Sequence, residues 1–387
     1  MNSILTLIGL VAALYFAYSA GFVALFSVAA SLVNRRPLTW KEQDAKRRFL
    51  VLIPAYKEDL VIEQTARAAL DQNYPSAQYD VCVIADQLQT TTLERLNQLA
   101  IRVLPVSFEK STKVQAINVA LVTLPSNYDA VVVLDADNIM APDFLNFMNA
   151  SLAQGWKAVQ GQRIGKNADT PTAILDGLSE DVNNHIYCLG HNALGLSSRL
   201  SGSGMAFEYQ LFKAIMAQNT AVGGFDKELE IRYTAAGEYI YYCPEAIVWD
   251  EKVRGQQNFH NQRRRWIAAQ YANLRRFFPT GLKALTLGNL DCFHRVLQLA
   301  LPPRLLMPVF LFLISAVALV LGSYPGFWLT LFGLNVGGML LAIPLEFWKS
   351  KQYLSLLKLP AIIWQTLKAT LRIRHANRTF IHTTHHN

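Results

Sequence analysis

Residues 131–140 read VVVLDADNIM. An apolar run leads into Asp135 and Asp137, and the chain turns apolar again after Asn138. Carboxylates at i and i+2 of a strand lie on the same face of the sheet. At a strand end the backbone turns, and both can reach one ligand. Paired hard oxygen donors suit Mg2+ or Mn2+. Such an ion commonly shares its shell with substrate phosphates and water. An ordinary acidic turn would carry the same residues, so the pair alone leaves both readings open.

A second group lies at QRRRW, Gln262 to Trp266. Helical spacing in NFHNQRRRWIAAQYANLRRF sets Gln262, Trp266 and Gln270 on one face. Arg263 and Arg265 offer forked donors to phosphate, and the Trp266 ring offers a flat face to a sugar. A basic patch beside a membrane span is the alternative, although the next long uncharged segment begins only at Leu305.

The elements that must position these residues alternate in type. RFLVLIPAY, YDVCVIAD, IRVLPVSF and YDAVVVLDAD read as strands. DLVIEQTARAALDQ, TTLERLNQLA and KVQAINVALVTL read as the helices between them. Continuous apolar strands alternating with helices predict an α/β domain built on a doubly wound parallel sheet. Such sheets bind ligands at the carboxyl ends of their strands. Tyr56 and Glu58 follow the first strand, Asp86 ends the second, and Asp135 and Asp137 end the fourth. All are expected at one sheet edge.

The chain has 387 residues, 52% of them hydrophobic, and the excess is concentrated at the two ends. Ile4 to Val33 carries no charge, more than the roughly 20 residues a bilayer core needs. It lacks the basic start and short apolar region of a secretory signal. Arg35, Arg36, Lys41 and Lys46 to Arg48 follow it, which predicts an outward N-terminus and a cytoplasmic chain beyond Val33. Leu305–Gly322 and Phe327–Leu345 are also uncharged, separated by the turn residues SYPG. They predict a membrane hairpin, three spans in all. The apolar stretch Leu354–Leu371, which carries two Lys and a Pro, reads as a helix lying on the membrane surface. The expected organisation is a transmembrane helix over 1–33, a cytoplasmic catalytic domain over 34–278 and an interfacial region over 279–304. A two-helix hairpin over 305–345 and a cytoplasmic surface helix with a basic tail over 346–387 complete it. The net charge of +8 sits largely in the membrane flanks, and nucleic acid is not expected as a partner. Cys82, Cys188, Cys243 and Cys292 have no metal-ligand spacing and read as reduced thiols.

Taken together these motifs resemble the membrane-bound family 2 glycosyltransferases, the group of cellulose, chitin and hyaluronan synthases. The resemblance runs from about Arg48 to Arg276. IPAYKED resembles the family's opening Pro-x-Tyr-Asn-Glu strand, with Lys57 where Asn is common. VIADQ supplies Asp86, KVQAIN supplies Lys113 and Asn118, LDADN supplies the Asp-x-Asp pair, SGSGMAF a Gly-rich stretch containing Gly204, and QRRRW the Gln-x-x-Arg-Trp motif. The resemblance implies the GT-A nucleotide-diphospho-sugar fold and a UDP-sugar donor. Ala55, Tyr56, Glu58 and Asp86 would hold the nucleoside. Asp135 and Asp137 would hold Mg2+ or Mn2+, and Lys113, Gln262, Arg263 and Arg265 would complete the donor site. Gly204 and Trp266 would border the acceptor.

One departure concerns the catalytic base. The family's Thr-Glu-Asp is absent, and GGFDKELEIRYTAAG stands in its place. Asp226 fits the family's local pattern, with Leu229, Arg232 and Gly237 at the matching offsets. Glu228 is the runner-up and Glu230 a distant third. An Asp226 that merely caps a helix is the structural alternative. The tail RTFIHTTHH, with His382 and His385, resembles a segment that folds over the nucleotide in the family's synthases. The resemblance implies inverting transfer that builds a β-linked cell-surface polysaccharide in a bacterial inner membrane. Transfer of one sugar to a membrane lipid, ceramide- or polyprenyl-type, is the alternative. A polymer product would call for a second copy of the chain or an export partner, because three spans are few to enclose a pore.

Overall fold

The computed structural model describes residues 2–372 and the side chains of all of these except 2–5 and 256–258. The segment Arg378–His386, with His382 and His385, lies outside the described residues. Eight strands form one sheet: β1 (Phe49–Tyr56), β2 (Tyr79–Asp86), β3 (Arg102–Val106), β4 (Ala130–Val133), β5 (Ile139–Met140), β6 (Ala158–Gly165), β7 (Met205–Glu208) and β8 (Ile240–Asp250). Their order is β3-β2-β1-β4-β7-β6-β8-β5. The first four strands are parallel, as the alternation predicts. Beyond them the sheet is mixed: β7 runs antiparallel to both β4 and β6, β8 lies parallel to β6, and β5 antiparallel to β8.

The apolar runs arise because the parallel strands are covered on both faces. Phe49, Val51, Ile53 and Ala55 of β1 enter one core, while Leu50 and Leu52 enter the other. Val81 and Val83 against Cys82 and Ile84 of β2 repeat the pattern. β1 and β2 end in register, Tyr56 beside Asp86. The next residue of each strand takes a left-handed backbone, Lys57 at φ 58 and Gln87 at φ 57. Such conformations cost of order 1–3 kcal/mol in residues other than glycine. The Lys57 N–H donates to the Asp86 carbonyl at 3.1 Å, tying the two turns together.

The helix Asn2–Leu32 contains Thr6–Leu32, the one helix among the described residues long and apolar enough to cross a membrane. Met307–Leu321 and Pro325–Leu341 are shorter apolar helices of 15 and 17 residues. They pack on each other, and Pro325–Leu341 packs along the N-terminal helix. Their outward faces expose Leu7, Leu10, Leu14, Leu313, Val317 and Val320. The helix Gln256–Thr286 runs unbroken through Pro279 and past the boundary expected at 278. The C-terminal helix Leu359–Leu371 lies on it, burying Ile362, Thr366 and Ala369 and exposing Trp364 and Leu371.

The N-terminal helix meets the α/β domain at a π-helical turn, Asn184–Gly190. The Phe26 ring stacks on His191 with centroids 4.0 Å apart. Gly190 permits this approach, since a Cβ there would sit 2.2 Å from the Phe26 carbonyl oxygen. Gly190→Ala is expected to destabilise the protein by about 1–3 kcal/mol, as overpacking does. Thermal unfolding in detergent would read this, and an unchanged midpoint would show that the junction yields without cost.

Candidate active site

A cavity of about 850 Å3 opens at the carboxyl edge of β1, β2 and β4. Ala55, Tyr56, Glu58 and Asp86 line one end. Asp86 is 3% exposed and its Oδ1 has no hydrogen-bond partner among the described residues. Burial pushes its carboxyl above the usual range. A buried, unsatisfied acceptor is costly unless a ligand completes it.

The acidic pair follows. β4 stops at Val133, so Asp135 and Asp137 lie in the turn beyond it rather than in the strand. Asp135 N–H donates to Ser203 Oγ at 2.8 Å, and Thr65 Oγ1 donates to the Ala136 carbonyl at 2.7 Å. These bonds turn Ala136 inward and let both carboxylates line the same cavity. Asp137 accepts from Asn138 Nδ2 at 3.0 Å and from the Glu251 N–H at 3.3 Å. Lys113 begins a helix capped by Thr112, and its Nζ lies 2.5 Å from Asp135 Oδ1 and 2.7 Å from the Gly202 carbonyl. Glu58 faces this group, and its carboxyl is pushed up to about 8. Burial is the larger cause, followed by the charges of Asp137 and Asp135. No cluster of three metal-ligating side chains stands ready among the described residues. The donor set is nonetheless hard oxygen, and carboxylates crowded this closely favour a cation between them.

Asp226 lies across the cavity in the first turn of the helix Phe225–Ala235 and lines the cavity wall. It does not cap that helix. The cap position is Gly224, whose φ of 68 only glycine adopts freely. Lys227 Nζ lies 3.4 Å from the Asp226 carboxylate. The runner-up Glu228 is excluded from the cavity: its side chain is fully buried between Arg232 and Arg276, at 2.7 and 2.8 Å. Glu230 does line the cavity, but it accepts from the Leu200 N–H at 2.7 Å and from Lys227 at 2.9 Å.

Gln262, Arg263, Arg265 and Trp266 all reach the cavity from the helix Gln256–Thr286. Arg263 is engaged with Asp176 at 2.7 Å, with its guanidinium 4.7 Å from the Trp266 ring centroid. Its charge is thus answered by Asp176 while the residue lines the cavity. Gln270 is structural, holding the Leu299 and Leu301 carbonyls at 3.0 and 2.8 Å. Asn118 is likewise structural, bonded to the Met216 carbonyl at 3.0 Å. Gly204 does not border the cavity. Its carbonyl accepts the Gly161 N–H at 2.8 Å just before β7, and Gly202 takes its place in the wall. Sequence reasoning missed Arg163, Glu180, Arg199, Asp250 and Arg304, which also line the cavity. Asp250 ends β8 in VWD, the strand-end signal used elsewhere. The others carry no local signal.

A mixed α/β sheet with a cavity and an acidic pair at its carboxyl edge is a GT-A-like arrangement. A profile described as Glycosyltransferase like family 2 matches residues 46–269, more than half of the chain, and the chain belongs to that family. It is similar to the probable glycosyltransferase YdaM of Bacillus subtilis (strain 168), at 26% identity over 230 residues, 56% of this chain and 53% of that protein. The chain thus aligns with about half the length of that curated relative. It is also similar in fold to the mannosyltransferase PcManGT of Pyrobaculum calidifontis, solved with GDP-Man and Mn2+. The TM-score is 0.56 at 17% identity, covering 94% of this chain and 99% of that one. At this identity the likeness speaks for the fold.

Proposed function

We propose that the protein is an inverting, membrane-bound glycosyltransferase that moves a sugar from a UDP-sugar to the hydroxyl of a lipid-borne acceptor. The observation that carries this is one continuous cavity. Asp86, the Asp135–Asp137 turn, Asp226 and Trp266 all line it. Asp86, with the Ala55–Tyr56 turn, receives the nucleoside. Asp137 and Asp135 would hold Mg2+ or Mn2+, which when bound withdraws charge from the leaving diphosphate. Lys113, already 2.5 Å from Asp135, places a cation beside the same phosphates. Asp226 takes the proton of the acceptor hydroxyl. The acceptor oxygen bonds to the anomeric carbon as the carbon–phosphate oxygen bond breaks, and UDP leaves with the electron pair. One displacement turns an α-linked donor into a β-glycoside. Trp266, 46% exposed, offers its face to the sugar.

The acceptor end of the cavity favours a lipid. Leu299, Leu301, Pro302, Pro303 and Leu305 line it immediately before the apolar helix Met307–Leu321. The three apolar helices, read as spans with the catalytic domain cytoplasmic, pack together rather than around a lumen. Phe278, Leu282, Leu285, Leu287 and Leu290 are exposed on the neighbouring helices, as at a membrane interface. A polysaccharide product is the second reading and needs another copy or an export partner. The test is transfer from a panel of radiolabelled UDP-sugars in membranes. Organic-extractable label supports the lipid reading, and high-mass label supports the polymer. EDTA is expected to abolish transfer and added Mn2+ or Mg2+ to restore it; turnover indifferent to the chelator would exclude the metal.

A further inference from the structure

Asp226 forms one ion pair among the described residues, from its Oδ2 to Lys227 Nζ at 3.4 Å. Lys227 also lines the cavity, and its ammonium is tethered. Its Nζ donates to Glu230 Oε1 at 2.9 Å and to the Leu200 carbonyl at 3.4 Å. Glu230, 2% exposed, is fixed in turn. It accepts the Leu200 N–H at 2.7 Å and faces Arg295 Nη1 at 3.5 Å. Arg295, 1% exposed, donates to the Ser197 carbonyl and to Gln298 Oε1, the latter at 2.8 Å. Asp226, Lys227, Glu230 and Arg295 thus alternate in sign along one line of contacts. Arg295 belongs to the helix Leu290–Gln298, beyond residues 46–269 that the family profile matches.

Burial alone would push the Lys227 ammonium down, but the charges of Glu230 and then Asp226 hold it above its usual range. It is a cation at neutral pH. Its nearer partner is Glu230 rather than Asp226. Lys227 therefore keeps a counter-ion when Asp226 takes up a proton and loses its charge. With Asp226 as its one partner, the ammonium would be stranded at that moment, and a largely buried charge left alone is costly. The contact to Asp226 is made at Oδ2, which leaves Oδ1 for an incoming hydroxyl. One short backbone segment also ties this end of the cavity to the acidic pair. Lys113, against Asp135, donates to the Gly202 carbonyl at 2.7 Å, and Lys227 donates to Leu200 two residues earlier.

We propose that Lys227 is a positioning residue for sugar transfer, holding Asp226 Oδ2 so that Oδ1 receives the acceptor's proton, with Glu230 and Arg295 as its anchor. This rests on the reading of Asp226 as the base and adds the groups that aim it. The proton passes from the acceptor hydroxyl to Oδ1. The hydroxyl oxygen bonds to the anomeric carbon, and UDP leaves with the electron pair of the broken bond. Lys227 gives up no proton and acts only through Asp226.

The test is a double-mutant cycle on the purified full chain in maltoside micelles, measuring UDP release from the UDP-sugar most active in the panel above. Lys227→Met is expected to lower kcat by about 10²-fold, the scale of a catalytic group held out of place, with UDP affinity in Mn2+ unchanged. Lys227→Arg, which keeps a cation within reach of both carboxylates, should recover most of that loss. In an Asp226→Asn background Lys227→Met should cost nothing further, because a residue that acts through Asp226 has nothing left to aim. Equal losses in both backgrounds would mark a structural role and overturn the proposal. So would wild-type kcat in Lys227→Met. A fall in UDP affinity that matches the fall in kcat would assign Lys227 to the donor and overturn it as well. If Lys227→Met does not fold, Lys227→Gln, which keeps a donor to Glu230 and drops the charge, carries the same comparison. The two readings fail separately. Wild-type kcat in Asp226→Asn removes the base itself, whereas a loss there beside wild-type kcat in Lys227→Met removes the positioning residue alone.

Discussion

Asp137→Ala is expected to lower sugar transfer by about 10³-fold or more, with the fold intact. A divalent ion on the leaving diphosphate is worth several kcal/mol, and each 1.36 kcal/mol is about tenfold in rate. Asp137 is the better-fixed member of the pair. It is 8% exposed and held by Asn138 and the Glu251 N–H. Asp135 instead faces Lys113 at 2.5 Å, so part of its charge is already answered. The loss should therefore be larger for Asp137→Ala than for Asp135→Ala. Burial first, and the charges of Asp137 and Asp135 next, push the Glu58 carboxyl up to about 8, and removing Asp137 relieves the second of these causes. The metal-free variant should thus melt no lower than the wild type at neutral pH. UDP release against Mn2+ concentration, with thermal unfolding in EDTA, measures both. Turnover within tenfold of wild type at saturating Mn2+ would remove the acidic pair from the chemistry.

The half of the domain that was legible from sequence is the half whose strands are buried on both faces. β1, β2 and β4 announce themselves as unbroken apolar runs because two cores cover them. Their ends are equally legible, since a polar residue closing such a run has few places to go but the sheet edge. That logic put Glu58, Asp86, Asp135 and Asp137 on one cavity. The second half hides because its strands carry polar residues that are satisfied within the sheet. Gln160 of β6 is 1% exposed, donating to the Gly161 and Ser203 carbonyls at 2.8 and 3.1 Å. AVQGQRIG thus lacks the pattern of a buried strand while being one. The reversal at β7, which makes the sheet mixed, follows from contacts that no local spacing encodes. Gly204 was misplaced for the same reason: its motif was legible, but the ladder that turns it away from the cavity was not. Arg304 stands among prolines before an apolar helix and would pass for an interfacial flank. Only the fold brings it beside Asn183 and Ser179.

Three carboxylates share the helix Phe225–Ala235, and substitution should separate them by kind of failure. Asp226→Asn is expected to lower the turnover of sugar transfer by about 10²–10⁴-fold, the usual weight of a general base. The asparagine keeps the shape and a hydrogen-bonding oxygen but cannot take the acceptor's proton. Donor affinity should be nearly unchanged, because among the described residues Asp226 pairs with Lys227 and not with Asp86 or the acidic pair. The loss then falls on kcat, as it does when an interaction belongs to the transition state alone. Glu228→Gln should fail differently. Its carboxylate is fully buried and answers both Arg232 and Arg276. Breaking a buried pair from one side typically costs about 3–5 kcal/mol, so this variant should lose folded protein rather than specific turnover. Glu230 anchors the Leu200 N–H and Lys227, and its replacement should disturb the wall around Asp226 without removing the base. Specific activity per folded molecule, with UDP affinity and unfolding midpoint for each variant, resolves the three. If Asp226→Asn kept wild-type kcat, Glu230 would be the remaining carboxylate of this helix that lines the cavity. The base would then have to be sought there.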